Sequence, residues 1–348
     1  MSLRQPGFIE ARTNGVVSGQ VSTYPVLLSA QVDPKAPVIG YFETKGSAGL
    51  DRTLWKLFGS PSYNVQYNHP FAYAGALDHD LGGVAISFLD FLTHLDLRDD
   101  KIHPHSGAFV QNDLQFAGLG GDAMDLRVQP EVRGYIPLGE RATLAMRASV
   151  GFLFPMSYGD SAAAARGDSP ESVSRADWVR DIELIYLRGF FSGGPGSNRG
   201  YPLRGVGPHG AVPFFNPGLQ ASALASGCSD TQSPEYDEIR CGVPLGGLSL
   251  WEASLELRFP IAGAFSGTLF CDASDVSPEV ADIRLDHPHL SCGVGLRYDT
   301  PIGPVRLDTG YRIPGLQVPT GTDPRQDGDP GTLYGVPVAF AFGIGEAF

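Results

Sequence analysis

Trp251-Glu252-Ala253-Ser254-Leu255-Glu256-Leu257-Arg258-Phe259 alternates without a break. One side of an extended chain would carry Trp251, Ala253, Leu255, Leu257 and Phe259, and the other Glu252, Ser254, Glu256 and Arg258. Successive side chains of a β-strand point to opposite faces, so the stretch is a two-faced strand. The period recurs. Val305, Leu307, Thr309 and Tyr311 oppose Arg306, Asp308 and Arg312. Leu126, Val128 and Val132 oppose Arg127, Gln129, Glu131 and Arg133, and Met146, Ala148, Val150, Phe152 and Phe154 continue the set. A half-buried soluble sheet has the same period. The charges of both signs on the polar face tip the balance, because a basic side chain facing lipid costs about 2–4 kcal/mol at the bilayer midplane. In a wet interior they pair and stay hydrated, so the apolar face points outward. That is the pattern of a transmembrane antiparallel β-barrel.

Composition agrees. The 348 residues include 45 Gly and 28 Pro with only 18% charged residues, which suits many strands joined by turns. No apolar run approaches the ~18–20 residues that a spanning helix needs; the longest candidate, residues 84–97, is interrupted by Asp90, His94 and Asp96. The mean hydropathy of -0.06 does not oppose a membrane location, because only alternate residues of a barrel strand face lipid. A net charge of -13 argues against nucleic-acid partners, which demand a basic face. Residues 1–12 lack the apolar core of a secretory signal, so the chain reads as a mature form, a fragment or an unusual barrel.

Reading back from the C-terminus gives strands near 334–348, 304–313, 291–299, 264–276 and 248–260. Short turns at 260–263 and 299–304 alternate with long connections at 276–287 and 314–332, the outer-membrane arrangement. In the N-terminal part, Asn14-Gly15 reads as a hairpin turn, 7–13 as the first strand, and 82–97 and 107–117 as strands. The expectation is about sixteen strands, from the ~9–11 residues each needs to span. Residues 160–180 are Ala-rich and read as a helical insert. The whole chain, 1–348, reads as one barrel domain.

One connection, at about 192–247, is too long to be a simple turn and opens with a glycine-rich segment. Gly193-Gly194 followed by Asn198-Arg199-Gly200-Tyr201 resembles the signature of the bacterial surface antigen family, the barrels of BamA/TamA-type assembly proteins. Other stretches agree in order: Leu255-Glu256-Leu257-Arg258-Phe259-Pro260, then Phe270-Cys271-Asp272, then Gly293-Val294-Gly295-Leu296-Arg297-Tyr298-Asp299-Thr300-Pro301-Ile302-Gly303-Pro304-Val305-Arg306, and the aromatic ending at Phe342 to Phe348. Asp96-Leu97-Arg98-Asp99 is a weaker match. The resemblance covers about 96–348. It departs at Asn198, where the family usually has an aliphatic residue, and in the absence of the POTRA repeats that normally precede the barrel.

The resemblance implies a loop folded into the lumen, with Arg199 meeting Asp272 and Glu256 on the wall. A planar guanidinium is suited to engaging two carboxylates. An equally weighted reading is that Arg199 only staples the loop. The resemblance further implies a lateral gate between the first and last strands. The last presents Val338, Phe340, Phe342, Ile344 and Phe348 on one face, with Gly343 and Gly345 weakening its packing. The function so implied is insertion or translocation of proteins in an outer membrane, with no enzymatic step and no cofactor. Partners would be outer-membrane lipids, unfolded outer-membrane or secreted clients, and periplasmic or lipoprotein helpers. The alternative is a passive pore or a two-partner secretion transporter of the same fold.

Cysteines and histidines add little. Cys228 and Cys241 share one polar stretch and form a candidate disulfide; Cys271 and Cys292 lie on neighbouring strands, as a second pair or as small apolar residues. His103/His105 and His287/His289 are spaced for a strand face, but each pair sits beside Pro, so solvated loop histidines rather than metal ligands are expected.

Overall fold

The computed structural model describes residues 1–26, 39–73, 76–139, 141–159, 174–215, 242–301, 303–313 and 333–348. Among these, thirteen strands form one antiparallel sheet. Its order is β1 (Ser2–Gln5), β2 (Thr13–Pro25), β3 (Ile39–Leu54), β4 (Leu57–Ala72), β5 (Val84–Asp96), β6 (Gly107–Gly121), β7 (Asp125–Leu138) and β8 (Ala142–Pro155). After the long connection come β11 (Ser249–Ala262), β12 (Phe265–Ser277), β13 (His289–Tyr298), β14 (Val305–Arg312) and β15 (Val338–Ile344). The connection holds α1 (Arg175–Arg188) and a two-stranded hairpin of β9 (His209–Ala211) and β10 (Gly242–Pro244).

Among the described residues the sheet has thirteen strands, where about sixteen were expected of the whole chain. The expectation assumed strands just long enough to span, whereas β3 and β4 run to 16 residues each and absorb more chain. No ladder joins β1 to β15 among the described residues, so the sheet is continuous but its ends are unpaired. It is nevertheless strongly curled. Apolar clusters join α1 to β3 through Tyr41, to β5 through Ile86 and Phe88, to β8 through Leu153 and to β12 through Val276. The outward face is an apolar belt, with Val65, Val132, Leu255, Leu269, Val294 and Leu307 all exposed. Among the described residues no helix is long and apolar enough to cross a membrane.

Short connections predominate at one end of the sheet (55–56, 263–264, 299–304) and long ones at the other (156–248, 278–288, 313–337), with 97–106 and 122–124 as exceptions. The N-terminus differs from expectation. Residues 6–12 form the turn, opened by Pro6 and by Gly7 at a φ of 65°, while Asn14 and Gly15 lie within β2. Gly15 is small for a packing reason, since a Cβ there would sit 3.0 Å from the Phe8 ring. The helix begins at Arg175, near the end of the expected 160–180 insert, whose residues 160–173 lie outside the described residues. Ser174 caps it, its hydroxyl accepting from the Asp177 N–H at 3.2 Å.

The C-terminus corrects a second expectation. Phe340, Phe342 and Ile344 are 61, 66 and 62% exposed on the lipid face, but Phe348 is only 8% exposed. Gly345, at a φ of 93°, ends the strand and turns the chain inward. Phe348 then packs against Tyr135 and Ala145 on the inner wall, where the Tyr135 hydroxyl donates to its backbone oxygen at 3.3 Å.

Candidate functional site

The site is built where the long connection meets the inner face of β11–β14. Its first element is a glycine turn: Gly193 and Gly194 have φ of 99° and 102°, which side chains disfavour. The Gly194 N–H donates to the Asn198 and Tyr201 carbonyls at 3.1 and 3.2 Å, so the loop closes on itself and projects Arg199.

Arg199 is 1% exposed. Its Nε and Nη2 donate to Asp272 Oδ2 and Oδ1 at 2.8 and 2.9 Å, and its backbone N–H to Oδ2 at 3.0 Å. Its Nη1 donates to Glu256 Oε2, and its guanidinium carbon lies 3.6 Å from the Phe270 ring centre. Burial acts to lower the guanidinium pKa, but the bonds and charges of Asp272 and Glu256 outweigh it, so Arg199 is held above its ordinary value. Charges this deep are stable only as a set; removing one partner typically costs about 3–5 kcal/mol.

The neighbouring loop residues are held as tightly. The Asn198 amide donates to Ser274 Oγ at 3.1 Å and to the His289 carbonyl at 2.7 Å, while Ser291 Oγ donates back to Asn198 Oδ1 at 2.6 Å. An aliphatic residue could form none of these bonds. The Gly200 N–H donates to Ser291 Oγ at 3.1 Å, and Arg312 Nη1 donates to the Gly200 carbonyl at 2.7 Å. Tyr201 packs edge-on against His289 with ring centres 5.6 Å apart. Close approach needs glycine on the wall too: a Cβ on Gly310 would lie 2.5 Å from the Arg199 carbonyl oxygen.

Asp308, Glu131, Arg147, Glu252, Asp125 and Arg188 lie outside the sequence motifs, while Arg258, Arg297 and Arg306 lie inside them with partners the motifs do not give. Asp308 accepts from Arg297 at 2.5 Å and from Arg306 at 3.2 Å, and Glu256 also accepts from Arg258 Nε at 2.8 Å. The ladder register brings these charges together, with Gly295 opposite Asp308 and Arg297 opposite Arg306. Arg147 reaches Glu131 at 2.7 Å and Glu252 at 2.8 Å, and Ser197 donates to the same Glu252. A second lock holds α1: Arg188 donates to both oxygens of Asp125 at 3.0 and 2.7 Å, and Tyr158 donates to Asp125 at 2.8 Å. The one available signal was membership of the polar face, which says which way a residue points but not whom it meets.

Of the weaker motif, Asp96 and Arg98 form a two-bonded ion pair at 2.9 and 3.0 Å at the short-turn end. Cys271 and Cys292 lie directly opposite one another on β12 and β13 and are disulfide-bonded. Cys228 and Cys241, the expected pair, lie outside the described residues. The histidine expectation divides: His105 is exposed, whereas His287 and His289 are buried beside Asp275.

The chain matches the Omp85 superfamily domain over residues 60–348. It belongs to that superfamily. Two solved structures share the fold. One is BamA from Haemophilus ducreyi lacking POTRA domains 1-3, with a TM-score of 0.58 and 16% identity over 94% of this chain and 59% of that one. The other is CdiB from Acinetobacter baumannii, with a TM-score of 0.51 and 11% identity over 97% of this chain and 48% of that one. The chain therefore spans less than two thirds of either. Membership of the Omp85 superfamily places it in the outer membrane.

Proposed function

We propose that this Omp85 barrel inserts or translocates proteins through the seam between β1 and β15. The observation that carries the reading is that, among the described residues, the two ends of one sheet have unpaired edges: β1 has 4 residues and β15 has 7. Both fall short of the ~9–11 residues that span a bilayer. An unpaired edge offers N–H and C=O groups that an incoming strand can take up by β-augmentation. Phe340, Phe342 and Ile344 put the β15 edge at lipid depth, where a client strand would have to leave. In this reading the clients are unfolded outer-membrane or secreted proteins, with periplasmic or lipoprotein helpers delivering them. Arg199, Asp272 and Glu256 keep the long loop seated, so the interior is filled rather than an open channel.

A second reading, a passive pore or two-partner secretion transporter, draws support from the inner face of β2–β4. There Ser18, Ser22, Ser47 and Gln66 are polar and only partly covered.

Cysteine pairs along the two edges, Leu3→Cys with Phe342→Cys among them, would test the seam in the full chain reconstituted in lipid vesicles. Cross-linked with a cleavable thiol reagent, the chain is expected to lose insertion of a client barrel and to regain it on cleavage. Full insertion while cross-linked would overturn the seam. A steady single-channel conductance from the intact chain, unchanged on removal of 198–247, would favour the pore.

A further inference from the structure

Beside the loop lock lies a cluster that the seam does not use. Asp275 of β12, His287 of the 278–288 connection and His289 of β13 are all buried, at 1, 4 and 3% exposure. Each offers a ligand atom, and these atoms lie within 4.8 Å of one another. His287 Nδ1 is 3.1 Å and His289 Nδ1 is 3.7 Å from Asp275 Oδ1, with the ring centres 5.4 Å apart. Ligands about 2.0–2.1 Å from a tetrahedral zinc ion stand about 3.3 Å from one another, so the two spacings bracket what an ion would impose.

We propose that Asp275, His287 and His289 form a binding site for a divalent first-row transition metal, of which Zn2+ is the reference ion. Two imidazoles and one carboxylate are a borderline donor set suited to Zn2+, Co2+, Ni2+ or Cu2+ rather than to Ca2+ or Mg2+. Three protein ligands leave a fourth position for water. Arg284 does not close the site. It donates to both oxygens of Asp275 at 2.9 Å, but a carboxylate presents about four lone-pair directions, so Oδ1 keeps the guanidinium and accepts an ion as well. The guanidinium then orients the ligating carboxylate, as outer partners of metal ligands do, and its charge keeps the affinity moderate. The position gives the site a consequence. The His289 carbonyl accepts from Asn198 and its ring packs on Tyr201, so an ion on His289 stiffens the wall on which the loop rests. Asp78, His79 and Asp80 make a poorer cluster, because Arg175 occupies both carboxylates and His79 is largely exposed.

The test is a Co2+ titration of the folded full chain in detergent micelles, followed by displacement with Zn2+. One ion per chain with a visible absorption band of low-symmetry coordination is expected, and Zn2+ should abolish the band. His287→Gln and His289→Gln should each weaken binding at least tenfold, while H103A/H105A should leave it unchanged. Zinc should also slow proteolysis of the long loop in the parent and not in the glutamine variants. No saturable binding below millimolar Co2+, or binding unchanged in the glutamine variants, overturns the site. Should those variants fail to fold, X-ray absorption of the Zn2+-loaded parent decides. Back-scattering from two imidazoles supports the site, and an all-oxygen shell overturns it.

Discussion

The inner faces of β11–β14 and β2–β4 are both polar, yet they solve the same problem differently. On β11–β14 the polar groups are charged and fully buried: Glu256, Asp272, Asp308, Arg297 and Arg312 are all at most 4% exposed. They survive there because wall arginines pair Asp308 and Glu256 and the loop brings Arg199 to Asp272 and Glu256. On β2–β4 most of the groups are hydroxyls and amides, with Glu43 and Lys45 among them, in bonds such as Ser18 with Ser47 at 2.6 Å, Ser22 to Glu43 at 3.1 Å and Gln66 to Asn68 at 3.1 Å. Ser18, Ser22, Ser47 and Gln66 are left partly covered and bond within the sheet. The wall that seats Arg199 is built of buried ion pairs; the β2–β4 wall is built mainly of uncharged polar groups. The superfamily match begins at residue 60, so β2 and β3 lie outside it.

The largest expected effect is on the charged wall. Arg199→Ala should leave Asp272 without its bidentate partner and Glu256 with only Arg258 and Arg297, and destabilise loop docking by about 3–5 kcal/mol. Limited proteolysis of the folded barrel should then cut the loop, and unchanged protection would break the contrast between the walls.

A smaller effect concerns the contact that the loop makes with the β2–β4 wall. Tyr41 of β3 donates to Glu183 of α1 at 2.9 Å. Burial pushes the Glu183 carboxyl up to about 7, against the lowering influence of the Tyr41 bond and Arg180. A raised acid is docked in its neutral form. The cost of ionising it in place is therefore absent below about pH 4.5, grows as pH rises through 7, and is fully present above. Hydrogen exchange of α1 should accelerate from pH 5 to pH 8 beyond its intrinsic rise. Glu183→Gln should remove that dependence, a difference of order 2–3 kcal/mol at pH 8. A helix equally protected at both pH values would show that the β2–β4 wall does not hold the loop through this carboxyl.

Paired glycines sharpen the comparison further. Gly310→Ala drives a methyl into the Arg199 carbonyl and should cost about 1–3 kcal/mol. Gly46→Ala on the outward face of β3, where a Cβ meets nothing within 4 Å, should change stability by no more than about 0.5 kcal/mol. Denaturant midpoints of the two variants give the comparison directly, and equal shifts would deny that the close approach of the loop to the β11–β14 wall sets the cost at Gly310.

Legibility in the sequence followed the range of the interaction. Alternation at residues 251–259 is local, and β11 runs as read, from Ser249 to Ala262. Glycine at 193 and 194 marked a backbone that turns sharply, and both have positive φ. The pairing of Arg199 with Asp272 and Glu256 was reached only through a family resemblance, because 73 and 57 residues separate the partners. His287 and His289 were read as solvated from the prolines beside them, yet they are buried by chain that arrives from elsewhere.

By itself, then, the sequence determined which side of each strand is apolar, where the C-terminal hairpins turn and which segment is too long and glycine-rich to be a simple connection. Each is decided by neighbours a few residues apart. Tertiary structure alone decided which charges meet, that Phe348 folds inward, that Arg188 finds Asp125 and that two histidines share one carboxylate with Arg284. Parity gives a side chain's direction, but its partner depends on strand register and on how the sheet curls around the loop.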